Sequence, residues 1–89
     1  MNYPELSGVN INVYPNPLNT VTTVKVEGWN DSDTDFEFRL FDLLGRQVYK
    51  KNFSGDQTQI QRHNLPVATY YYELWGDGLP IGKGNLFVQ

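Results

Sequence analysis

The sequence predicts an all-β domain, an immunoglobulin-like antiparallel β-sandwich of about seven strands. Three observations carry this. Apolar residues recur at every second position, turn chemistry punctuates the chain every ten to twelve residues or so, and no window of useful length shows helical periodicity.

In the first strand Val9, Ile11 and Val13 alternate with Asn10 and Asn12. Pairing must stop at Tyr14-Pro15-Asn16-Pro17, because two prolines remove two amide donors and hold the preceding residues extended. Thr22 to Glu27 is the second strand, with Thr22, Val24 and Val26 on one face before Gly28. After the polar segment Asn30-Asp31-Ser32-Asp33-Thr34, Phe36, Phe38 and Leu40 alternate with Glu37, Arg39 and Phe41 in a half-buried third strand. Asp42-Leu43-Leu44-Gly45-Arg46 joins it to a fourth, Gln47 to Phe53. Gly45 supplies the positive φ of a type I turn with a G1 bulge, so strands three and four form a hairpin.

Ser54-Gly55-Asp56 turns the chain into a fifth strand with Thr58, Ile60 and Arg62 on one side, ended by His63-Asn64-Leu65-Pro66. Thr69 to Trp75 is the sixth, with Tyr70, Tyr72 and Leu74 inward and Tyr71, Glu73 and Trp75 outward. Gly76-Asp77-Gly78 and Pro80 lead to the last strand, Gly82 to Val88, whose Leu86 and Val88 face inward. The expected core is Ile11, Val13, Val24, Val26, Phe36, Phe38, Leu40, Val48, Ile60, Tyr72, Leu74 and Leu86. Residues 1–8 read as a linker or expression remnant, and residues 9–89 as one domain.

Composition narrows the function. The 89 residues hold 39% apolar and 15% aromatic side chains, enough for a core, and only 19% charged. Seven basic residues against ten acidic ones, a net charge of −3, leave no electrostatic footprint for nucleic acid or an anionic membrane. Without cysteine there is no disulfide, thiolate metal site or cysteine nucleophile. No apolar run reaches the roughly 18 residues of a transmembrane helix, and Met1-Asn2-Tyr3-Pro4-Glu5 lacks the basic start and apolar stretch of a signal peptide.

The chemical candidates have plainer readings. Asp31, Asp33, Asp35 and Asp42 have part of the spacing of a calcium loop, but Phe36 stands where that loop needs glycine and a strand follows, so the segment reads as a solvated turn. His63, the only histidine, reads as a surface loop residue, tied by no motif to a carboxylate or serine. Catalysis has no candidate residue, no cofactor is implied and the chain is not expected to be an enzyme. Tyr71 and Trp75 raise a second functional reading, an accessory immunoglobulin-like binding module that stacks sugars on exposed rings. Open edge strands leave self-association as a third.

Four blocks in order, Val13-Tyr14-Pro15-Asn16-Pro17, Leu40-Phe41-Asp42-Leu43-Leu44-Gly45-Arg46-Gln47-Val48, Leu65-Pro66 through Tyr70, and Gly82-Lys83-Gly84-Asn85-Leu86-Phe87-Val88, resemble the type A C-terminal sorting domains of the type IX (Por) secretion system of Bacteroidota. The resemblance covers about Val9 to Gln89. Tyr70-Tyr71-Tyr72 before Gly76-Asp77-Gly78 also resembles the type B domains, but the first two blocks favour type A.

The resemblance implies a module fused behind a cargo protein. It would be exported through the periplasm, read by the type IX translocon, and removed by a sortase-like peptidase, with the cargo left outside the cell or on its surface. Val67-Ala68 stands where the family usually has a small residue and then glycine, and the chain ends Phe87-Val88-Gln89 where the family often has a basic residue. The recognition candidates are Lys83, Leu86, Phe87 and Val88 in the last strand, the turn residues Gly45 and Arg46, and the corner Pro15, Asn16 and Pro17. Gly45 and the proline corner already have a fold-setting explanation.

Overall fold

The period-two pattern resolves into seven strands in the computed structural model, which describes residues 9–29 and 33–89. They are β1 Asn10–Tyr14, β2 Val21–Glu27, β3 Phe36–Phe41, β4 Gln47–Phe53, β5 Gln57–Gln61, β6 Ala68–Gly76 and β7 Leu79–Val88. Two antiparallel sheets face each other, one ordered β1-β2-β5 and the other β4-β3-β6-β7. Both the linker reading of residues 1–8 and Asp31 lie outside the described residues.

Alternation buries one face of each central strand. Val24 and Val26 from β2 meet Phe36, Phe38 and Leu40 from β3 and Tyr70, Tyr72 and Leu74 from β6. Phe38 stacks on Tyr72 with ring centroids 5.5 Å apart, and Phe36 stacks on Phe53 at 5.2 Å while meeting Trp29 edge-on at 5.8 Å. Such offset and T-shaped pairs favour one packing over many beyond the area they bury. Inward-facing Gly84 leaves room for the Tyr72 ring, since a Cβ there would lie 2.6 Å from the Tyr72 hydroxyl.

Four expectations need correction. Val48 is 40% exposed rather than core. Leu40 pairs with Tyr49 while Phe41 pairs with Gln47, so Val48 is the extra residue of a bulge, and Tyr49 and Phe53 turn inward instead. Leu18 and Ile81 belong to the core although no alternation marks them. Leu18 sits between strands, and Ile81 is the extra residue where the β6–β7 register shifts between Leu74 and Trp75. The last strand starts at Leu79 rather than Gly82, because Asp77 and Gly78, both at positive φ, close a tight hairpin that pairs Gly76 with Leu79. Finally, the sixth strand opens at Ala68 rather than Thr69, and the left-handed residue of the preceding loop is His63, at φ 52°.

Ile11 and Val13 are half-buried and pack against the core from edge strand β1. The edge strands are blunted differently on the two sides. On one, Lys51 of β4 reaches across to the carbonyl of Gln59 in β5 at 2.8 Å, a charge set between two edges that discourages an added strand. On the other, the proline corner lies along β7.

Candidate functional site

Strand direction decides what meets what. β1 ends, β2 begins, β3 ends, β6 begins and β7 ends at one pole of the sandwich, so the connections after β1, β3 and β5 and the end of β7 gather there. All four sequence blocks contribute to this pole. Val9 and the start of β1 lie at the opposite one, beside Glu27.

Asn16 joins the first block to the last. Its side-chain amide donates to the carbonyl of Asn85, and its side-chain oxygen accepts the amide of Phe87, both at 2.9 Å. Leu18 continues the contact: its amide donates to the Phe87 carbonyl, and the Leu18 carbonyl accepts the Gln89 amide at 2.9 Å, in a short parallel bridge opposite Val88. The peptide bonds before Pro15 and Pro17 are both cis, and the Pro15 carbonyl accepts the hydroxyl of buried Thr22 at 2.8 Å. The corner thus satisfies edge groups of β7 from Asn85 to Gln89 that would otherwise be open to a further strand.

The second block makes the β3–β4 turn. Gly45 donates its amide to the Asp42 carbonyl at 3.0 Å and has φ 84°, as a type I turn with a G1 bulge requires. The Asp42 carboxylate accepts the amides of Leu44 and Arg46, each at 2.9 Å, and pairs with the Arg46 guanidinium at 2.8 Å. The backbone bond from Arg46 is the largest influence holding the Asp42 carboxyl below its ordinary 3.8; burial opposes it, and the Arg46 side chain and the Leu44 amide add to it.

The third block is tied down by two side chains. Tyr70 donates its hydroxyl to the Pro66 carbonyl at 2.8 Å, and burial raises its pKa. Arg62 donates to the Leu65 carbonyl at 3.2 Å and to the Gln89 carbonyl, while its amide bonds Thr20 at 2.9 Å. Arg62 therefore links the β5–β6 loop, the end of β7 and the start of β2. No motif marks this hub, because Thr20 and Gln89, which it joins to the loop, lie far from Arg62 in the chain.

The recognition candidates divide accordingly. Pro15, Asn16, Pro17, Gly45, Arg46, Leu86, Phe87 and Val88 all lie at this pole. Leu86 and Val88 are buried, so they act through the fold, whereas Phe87 and Arg46 are exposed. Lys83 stands apart: it is exposed midway along β7, opposite Glu73. Between the β3–β4 turn and the β5–β6 loop runs an apolar groove of about 350 Å³, lined by Leu43, Leu44, Val48, Pro66, Ala68 and Tyr70 among others. Its exposed leucines were within reach of the sequence, since the central residues of a tight turn point outward.

The other candidates are dispersed. Asp35 and Asp77 exchange hydrogen bonds of 2.9 and 3.0 Å that tie two connections at the Val9 pole, and β3 carries Asp42 to the other end. No group of three or more His, Cys, Asp or Glu that would suit a metal occurs among the described residues. His63 is exposed, its ring 6.4 Å from that of Tyr49. Tyr71 stacks on Phe41 at 5.1 Å, and the Arg39 guanidinium covers Trp75 at 4.2 Å. Each ring meant for a sugar is thus half-buried and already engaged with a neighbour.

Comparison with known proteins bears on the family and the fold. Residues 12–80 match the family model described as "Secretion system C-terminal sorting domain". A solved structure of a DUF3244-family protein with an immunoglobulin-like β-sandwich fold, from Bacteroides vulgatus, superposes with a TM-score of 0.67 at 22% identity, covering 89% of this chain and 84% of that one. At that identity the likeness is one of fold. A search of curated proteins found no match.

Proposed function

The chain belongs to the family of secretion-system C-terminal sorting domains, and from that premise we propose that it works without enzymatic activity, as a folded address that the type IX translocon reads and a sortase-like peptidase then removes from its cargo. The family match over residues 12–80 is the observation that carries this reading. The chemistry of the pole supports it: the side chains of Asn16, Asp42 and Arg62 are spent on holding its loops in place.

An address must be the same whatever cargo precedes it, which favours a rigid surface far from the junction. Cleavage falls, on this reading, before β1, because a peptidase needs an extended segment and the chain from Asn10 onward is paired in sheets.

The test is a fusion of the 89 residues behind a Sec-exported reporter, in a bacterium with a working type IX system. The reporter should reach the medium or cell surface, and mass spectrometry of the released form should place its new C-terminus upstream of Asn10. Retention in the periplasm, while an established sorting domain delivers the same reporter, refutes the reading.

A further inference from the structure

We propose that the export machinery reads this domain through the pole opposite the cargo junction, where the groove between the β3–β4 turn and the β5–β6 loop takes apolar side chains of one partner protein that carries a carboxylate beside them. This rests on the sorting-signal reading and assigns its contact surface.

Distribution is the first argument. Among the described residues seven large apolar side chains are exposed, and six of them, Tyr14, Leu43, Leu44, Val48, Val67 and Phe87, lie at this pole. Only Leu79 lies at the other. Leu43, Leu44 and Val67 are 73%, 79% and 70% exposed, in a chain whose core is otherwise well filled. Apolar groups scattered singly need no explanation, but Leu43, Leu44 and Val48 line one apolar groove, and Val67 sits in the chain between its lining residues Pro66 and Ala68, so the cluster there marks a contact surface.

Access is the second. Val9 leaves the domain at the far pole, on a body 34 Å long, so a fused cargo is carried away from the groove. Charge is the third argument, and it selects the occupant. Glu27, Asp33, Asp35, Asp56 and Asp77 all belong to the cargo-side pole. At the groove Asp42 is matched by Arg46, whose guanidinium spends Nε on it while the side chain stays 73% exposed at the rim. A guanidinium so placed offers its terminal nitrogens to a carboxylate. A lipid surface fits less well, because the chain is net negative and a concave groove suits side chains better than a plane.

The experiment uses the reporter fusion above. The triple variant Leu43→Ser/Leu44→Ser/Val67→Ser should melt within about 2 °C of the parent, since all three are exposed, yet its secreted fraction should fall about tenfold or more, as loss of a central apolar contact does elsewhere. Leu79→Ser, at the other pole, should be secreted like the parent, and Arg46→Gln should lose several-fold. If the triple variant melts lower, Leu44→Ser alone decides by the same criterion.

Normal secretion of the triple variant overturns the inference while leaving the sorting function intact. Failure of the parent fusion overturns the function itself. Normal secretion of Arg46→Gln removes the carboxylate from the proposal. Flotation of the purified chain with phosphatidylethanolamine–phosphatidylglycerol vesicles, lost in the triple variant, replaces the protein partner with a lipid surface; no flotation supports the protein partner.

Discussion

Asn16→Ala isolates the contact that joins the proline corner to the last strand. The substitution removes two hydrogen bonds, from the Asn16 amide to Asn85 and from the Phe87 amide to Asn16, and leaves the backbone bonds of Leu18 in place. Each such bond contributes about 0.5–1.5 kcal/mol net, and Asn16 is exposed, so water recovers part of the loss; about 1–2 kcal/mol is the expected destabilisation. For a domain of this size that lowers the melting midpoint by about 4–16 °C.

Amide exchange supplies the sharper assay. The Phe87 amide should lose protection in the variant, while amides in the middle of β3 follow only the change in global stability. Asn16→Asp keeps an acceptor for Phe87 but sets a carboxylate oxygen against the Asn85 carbonyl. It should be no better than alanine at neutral pH, and should recover relative to the parent as pH falls below about 4, where the protonated acid donates again. If Asn16→Ala melts like the parent and the Phe87 amide exchanges at the parental rate, the corner does not hold the strand and the reasoning fails.

Three further outcomes are expected. Phe38→Ala empties the centre of the core against Tyr72 and should cost about 3–5 kcal/mol in chemical denaturation. Gly84→Ala forces a methyl toward the Tyr72 ring, which Phe38 backs, and should destabilise by about 1–3 kcal/mol even though alanine restricts the unfolded chain. Because the Asp42 carboxyl titrates lower in the folded state than unfolded, its stabilisation is fully present above its ordinary 3.8 and is lost as pH falls through the folded value. An NMR titration should find Asp42 below its ordinary value, and in Arg46→Ala, which keeps the backbone amides, it should rise only partway back.

Much of the fold was legible because each strand's pattern is local. Alternation marked β2, β3 and β6 with their correct inward faces, and Gly45 marked its turn through the positive φ that a G1 bulge requires. What failed depends on partners far along the chain. One inserted residue at the β3–β4 bulge turns Val48 outward and Tyr49 inward, which no count along β4 reveals. Leu18 is buried by Val88, seventy residues later in sequence. The recognition blocks were legible singly, but their meeting at one pole follows from strand direction, which the residues of each block do not contain.

That convergence separates holding the address from displaying it. The groove draws on the β3–β4 turn and the β5–β6 loop, with Leu43 and Leu44 on one side and Pro66 on the other, segments far apart in sequence, so it exists only while the sandwich is folded. Loss of stability alone should therefore affect export only through the unfolded fraction. With about 5 kcal/mol of stability, a loss of about 2 leaves a margin of about 3 kcal/mol and fewer than about 1% of molecules unfolded. Asn16→Ala should thus melt earlier and still be secreted, whereas the triple variant at Leu43, Leu44 and Val67 should melt like the parent and be retained. If both variants lose export in proportion to their melting points, the translocon senses folding rather than this surface.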